Sequence, residues 1–251
     1  MASPPIEICV EGIDGLAAAQ AAGADRVELC ASLVEGGITP SLGVIRQALA
    51  IATLPVHVIV RPRGGDFLYS AREYRTMLED VRACRALGVA GVVFGCLGAD
   101  GRIDEARMAE LTAAARPLAV TCHRAFDMTR DPEEAVEALV RCGVDRVLTS
   151  GQRASALEGL AGLKRTVAAA RGRLAVMACG GLDETNIAEV LARSGADELH
   201  FAALVTGPSG MTFRNPHVGM GGTAPAREFE LTLTDAEAVR RTIAAARAQT
   251  A

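Results

Sequence analysis

Residues 118–129, LAVTCHRAFDMT, bring a thiol, an imidazole, a guanidinium and a carboxylate together at Cys122, His123, Arg124 and Asp127. Such a set suits a metal site, an acid–base centre or an anion clamp, and equally the end of an ordinary strand. Two other stretches carry comparable chemistry. Glu7-x-Cys9 recurs as Glu28-x-Cys30, pairing a carboxylate with a thiol at one spacing. RPRGGDF (61–67) sets Arg61 and Arg63 beside two glycines and an acid, a combination that suits a carboxylate or phosphate group.

These residues need elements to hold them. Short β-branched runs near 6–10, 26–30, 56–61, 91–96, 118–123, 146–150, 174–179 and 198–204 alternate with helical stretches near 13–22, 41–52, 70–87, 104–115, 132–142, 154–171, 183–193 and 234–247. The junctions GADRVELC (23–30), GVDRVLTS (143–150) and GADELHFA (195–202) share one pattern: Gly, a small residue, Asp, then a strand. Eight such units predict an α/β fold, a single-domain (β/α)8 TIM barrel over residues 1–251. An open doubly wound sheet is the alternative, but no GxGxxG follows the first strand, so no nucleotide cofactor is indicated.

Bulk properties narrow the function classes. Half of the 251 residues are hydrophobic, and the net charge is −4 with scattered basic residues. That argues against nucleic acid as a partner. No apolar run reaches membrane-spanning length, and the N-terminus lacks a signal-peptide pattern, so a cytoplasmic protein is expected. Seven cysteines without a CxxC fit a reducing compartment better than a disulfide framework. The segment 206–230 is long for a loop and reads as a lid or an arm toward a neighbouring subunit, with His217 exposed on it.

Alternation along the strands sorts their faces. Glu7, Cys9, Glu28, Cys30, His57, Arg61, His123 and His200 fall on the polar set that faces the axis, while Cys122 falls on the helix side. Parity does not sort the strands near 91–96, 146–150 and 174–179. Depth separates the inward groups. His57, at a strand start, reads as a satisfied interior histidine, whereas Arg61 and His123 reach the carboxyl rim where barrel active sites are built.

Two functional expectations follow. In one, the rim binds a small anionic metabolite. Arg61, Arg63 and Arg124 hold the anion with Ser150, Gly151 and Gly181 of the last loops, and His123 is the acid or base, assisted by Glu28 or Asp127. In the other, Cys9 and Cys30 on adjacent strands about 4.8 Å apart approach closely enough to hold a soft ion such as Cu(I), with Met177 or His123 nearby. The thiols also fit simple packing as small hydrophobes. Cys84 and Cys142, on helical stretches, read as packing residues.

The blocks VELC (27–30), EGGITPSLG (35–43), RPRGGDF (61–67), TCHRAFDM (121–128) and VLTSGQ (147–152) together resemble the CutC family of copper homeostasis proteins. The resemblance runs from Ile6 to about His200, then weakly through MTFRN (211–215). It implies a cytoplasmic TIM-type barrel, often a homo-oligomer, with copper as its ligand and Cys9 and Cys30 as the corresponding ligand cysteines. Two positions depart from the pattern. Cys122 stands where the family usually has Phe, which supports its packing role. MACGG (177–181) puts Cys179 where a Gly is usual.

Overall fold

The computed structural model describes residues 3–215, 217–219 and 228–248. Eight parallel strands close into a barrel in sequence order: β1 (Ile6–Glu11), β2 (Arg26–Cys30), β3 (Val56–Ile59), β4 (Gly91–Phe94), β5 (Ala119–Cys122), β6 (Arg146–Thr149), β7 (Ala175–Ala178) and β8 (Glu198–Phe201). The last pairs with the first through Glu7 and His200. Around them lie α1 (Gly12–Ala21), α2 (Leu42–Ile51), α3 (Ala71–Leu87), α4 (Glu105–Ala115), α5 (Pro132–Arg141), α6 (Leu160–Ala170), α7 (Ile187–Ser194) and α8 (Ala236–Ala248). Among the described residues, no helix is long and apolar enough to cross a membrane.

Local chemistry sets the boundaries. Ser70 and Glu73 form a reciprocal capping box at the start of α3, and Asp131 caps α5 ahead of Pro132. The repeated Gly-small-Asp junction has a double function. Gly23, Gly143 and Gly195 take positive φ as each helix ends. Two residues on, the Asp carboxylate accepts the first free N–H of the preceding strand: Asp25 from Ile6, Asp145 from Val120 and Asp197 from Val176. One tripeptide thus ends a helix and fastens its strand to the barrel.

Two segments differ from the sequence expectation. The helix expected over 154–171 begins only at Leu160, because 150–159 is a rim loop held by side-chain bonds. There the backbones of Gly151 and Gly159 approach so closely that a Cβ on Gly159 would lie 1.8 Å from the Ser150 carbonyl oxygen. The long segment after β8 is also not all loop. β9 (Leu204–Pro208) pairs antiparallel with β10 (Glu230–Thr234), so both ends of that arm are zipped by backbone hydrogen bonds. Residues 216 and 220–227 of the arm lie outside the described residues, and His217 is exposed.

The barrel interior is layered. At the amino-terminal floor, Glu7, Arg26, Glu198 and Arg146 form one ion-pair network. Arg26 pairs with Glu7 and lies 2.5 Å from Glu198, which also accepts two bonds from Arg146 at 2.6 and 2.7 Å. His57 lies beside it, 3.5 Å from Glu7, and burial pulls its pKa down to about 4. The β4 strand settles by volume. A Cβ at Gly91 would meet the His57 ring at 2.6 Å and one at Gly95 the His123 ring at 2.9 Å, so glycine leaves the axis to two imidazoles.

Candidate functional site

Above the floor, β1, β2 and β8 place Cys9, Glu28, Cys30 and His200 in one buried cluster. The Cys9 and Cys30 sulfurs are 3.6 Å apart, and with a Glu28 carboxylate oxygen they lie within 4.8 Å of one another. His200 donates from Nδ1 to Glu7 at 2.8 Å, and its Nε2 is 3.7 Å from Glu28. The register explains the approach: Cys9 is opposite Glu28, and Cys30 is two residues further along β2.

The groups are electrostatically coupled. The hydrogen bond shared with Cys30 outweighs burial and, with contacts to His200 and Glu28, pulls Cys9 down to about 5. The same bond and burial push Cys30 well up. Burial and the negative sulfur raise Glu28. Burial opposes a proton on His200, but hydrogen bonds to Cys9 and Glu7 win and raise it. Sharing one hydrogen bond thus makes a single thiolate easier to form on this pair than on either sulfur alone, the other sulfur donating to it. Their exposures to the interior also differ. Cys9 lines the central cavity, whereas Cys30 is 1% exposed and covered by Gly37, where a Cβ would come within 3.2 Å of its sulfur.

Opposite stands Arg61, at the end of β3. Its Nη1 donates to the carbonyls of Glu35 (2.7 Å) and Gly37 (2.9 Å), and its Nη2 to Gly65 (2.8 Å). The EGG and RGG loops are thus wrapped on one guanidinium, which also lies over the Phe67 ring at 5.2 Å. Its Nε has no hydrogen-bond partner. The Tyr69 hydroxyl, likewise unpartnered, feels the Arg61 charge without hydrogen-bond geometry. His123 follows β5 and packs on Phe67 at 4.9 Å between ring centroids. Its Nδ1 accepts the Ala125 N–H at 3.2 Å, and burial, reinforced by Arg61, lowers its pKa to about 3. The neutral ring therefore carries its proton on Nε2, which is buried and unpartnered.

The other rim residues are engaged differently. Asp127 lines the cavity, but its carboxylate accepts from five donors: the Arg124 Nε, the Ser150 N–H and hydroxyl, the Thr149 hydroxyl and the Gln152 N–H. Arg124 also donates to Ser150 at 2.8 Å. Gly151 gives its N–H to the Thr149 hydroxyl, and the Gly181 carbonyl accepts from Asn186. Arg63 points into its own loop, bonded to Glu73, Asp66 and three carbonyls and stacked on Tyr69. Arg63, Ser150, Gly151 and Gly181 are not on the cavity wall. Met177 belongs to the floor, accepting from Arg26 at 3.4 Å, and Cys122 is fully buried on the helix side.

What the structure brings together is a cavity of about 390 Å³ at the carboxyl end of the strands. Cys9, Glu28, His200, Arg61, His123, Arg124 and Asp127 are its polar wall, and Ile59, Phe67, Leu148 and Met128 its apolar one. Sequence reasoning placed His200 inward without joining it to the cysteines, and it passed over Phe67. The signal for His200 was its alignment with Glu7 across the closing strand pair.

A family model for the CutC family matches residues 5–205. The chain belongs to the CutC family. A CutC family protein of Mesorhizobium japonicum is 69% identical over 98% of this chain and 95% of its own length. The human copper homeostasis protein cutC homolog is 48% identical, covering 94% of this chain and 86% of the relative. The solved CutC structure from Streptococcus agalactiae superposes with a TM-score of 0.75 at 32% identity, over 79% of this chain and 98% of that one. The blocks that carry the CutC resemblance are the ones that build the cavity: VELC supplies Glu28 and Cys30, RPRGGDF supplies Arg61 and Phe67, and TCHRAFDM supplies His123 and Asp127.

Proposed function

We propose that this CutC protein acts in copper homeostasis by holding Cu(I) on Cys9 and Cys30 within the cytoplasm. The observation that carries the reading is the 3.6 Å separation of two buried sulfurs, of which Cys9 lines the cavity. Soft thiolate donors select Cu(I) among the common cellular metals. The separation is less than twice a metal–sulfur bond of about 2.3 Å. Cys9 and Cys30 would therefore hold one ion at a bent angle, which would leave room for a third donor. Glu28 is the donor within reach, and the softer His200 joins it only by giving up the proton on Nε2. Seven free thiols support a reducing compartment, and recovery of the chain in a cytoplasmic cell fraction is the check.

A homo-oligomer is part of the same reading. Its support is the arm after β8, where Leu204, Val205, Phe213, Leu231 and Leu233 are exposed apolar side chains. Native mass spectrometry reads both claims together. The expected spectrum is a multiple of the chain mass carrying one Cu(I) per chain, with the copper lost in Cys9→Ser/Cys30→Ser. Copper content unchanged in that double variant contradicts the metal site, and a monomer at micromolar concentration contradicts the assembly.

A further inference from the structure

Arg61 is 5% exposed, yet its charge has no acid to meet. Its Nη atoms donate only to three backbone carbonyls, and among the described residues no Asp or Glu forms an ion pair with it. Burying a cation without a counterion costs several kcal/mol, and the carbonyls offset this only in part. Beside it, His123 presents the complementary half. Its Nδ1 is occupied by the Ala125 N–H, so Nε2 holds a proton that no protein group accepts. Two N–H donors, Arg61 Nε and His123 Nε2, thus lack acceptors just beneath the surface of one cavity that both residues line. Native proteins leave few such groups unsatisfied, and a bound ligand is one standard explanation.

We propose that the cavity is a binding site for a small monocarboxylate, with its charged group at Arg61 and His123 and its short carbon chain among Ile59, Phe67 and Leu148, facing the Cys9 sulfur. A single uncompensated charge and two free donors match one carboxylate. They match a phosphate poorly, because the backbone that could cradle it is already committed. The Ser150 and Gln152 N–H groups go to Asp127 and that of Gly151 to Thr149. The apolar wall excludes ligands that are polar throughout. This inference does not rest on copper binding, although both use the same cavity.

Cys9 is the natural reporter, since of the seven cysteines it alone lines the cavity. Iodoacetate and iodoacetamide alkylate a thiolate by the same displacement, in which an S–C bond forms, the C–I bond breaks and iodide leaves. They differ in whether the reagent carries a carboxylate. In metal-free protein, with the modified residue located by peptide mass spectrometry, iodoacetate is expected to modify Cys9 at least tenfold faster than iodoacetamide. Its rate should saturate with concentration, and propanoate should protect. The preference should vanish in Arg61→Gln and in His123→Phe, the latter sparing the carbonyl bonds that Arg61 makes to its loops. Faster modification by iodoacetamide in the wild-type protein overturns the proposal whatever the variants do. So does protection by inorganic phosphate without protection by propanoate. Because no metal is present, either result leaves the copper measurement untouched.

Discussion

His123 lies buried beside Arg61, so protonating it would set two cations side by side out of water. Its folded pKa of about 3 lies below the ordinary 6.5, and the direction of the pH effect follows. Between those values the unfolded chain takes up a proton that the folded chain refuses. Stability is therefore lost as pH falls below about 6.5, continuing toward 3, and His123 contributes no pH dependence above that window. Going from pH 7 to pH 5 should cost wild type about 2 kcal/mol more than His123→Gln. Urea denaturation of both at the two pH values checks this, and equal losses would show that the imidazole titrates normally. At this scale the sequence told which way side chains point but not what they meet. Parity sent Cys122 outward and His123 inward. It had no access to four of the five donors on Asp127, which come from residues more than twenty positions away, or to the loop that turns Arg63 back on Glu73.

At the scale of elements, the strands divide one interior into a sealed floor and an open top. Strand starts contribute Arg26, Arg146 and Glu198 to the floor, and these went unremarked in the sequence because they fall at the edges of apolar runs. Glu198 accepts from both guanidiniums and is 7% exposed. Glu198→Gln would leave the buried Arg26 and the partly buried Arg146 facing each other, with Glu7 as the remaining acid. The expected cost is about 3–5 kcal/mol, as for breaking other buried pairs by removing one partner. A urea midpoint shift of less than about 1 kcal/mol in equivalent stability would contradict the network's role. Helix and strand positions were legible because their periodicities are local. The late start of α6 was not, since it depends on Gly151 and Gly159 meeting across a loop. The β9–β10 ribbon was missed because its strands are brief and separated by a long segment. The junction aspartates were seen as a repeat, while their bond to the preceding strand appears only in three dimensions.

For the whole molecule, closure is the decisive event. β8 meets β1 and brings His200 to Glu7 and Glu28, so a residue at position 200 completes a cluster begun at positions 7–9. Eight βα units predicted that ring, but which interior side chains share a height depends on barrel stagger, which the sequence does not spell out. Cys9 and Cys30 meet because β1 and β2 pair with Cys9 opposite Glu28; a different register would have separated them. X-ray absorption at the copper edge of the Cu(I)-loaded protein reads the two-sulfur site itself. Two sulfur scatterers per copper are expected in the wild-type chain, both lost in Cys9→Ser/Cys30→Ser. Copper surrounded by nitrogen and oxygen alone, or a spectrum unchanged in the double variant, would contradict it.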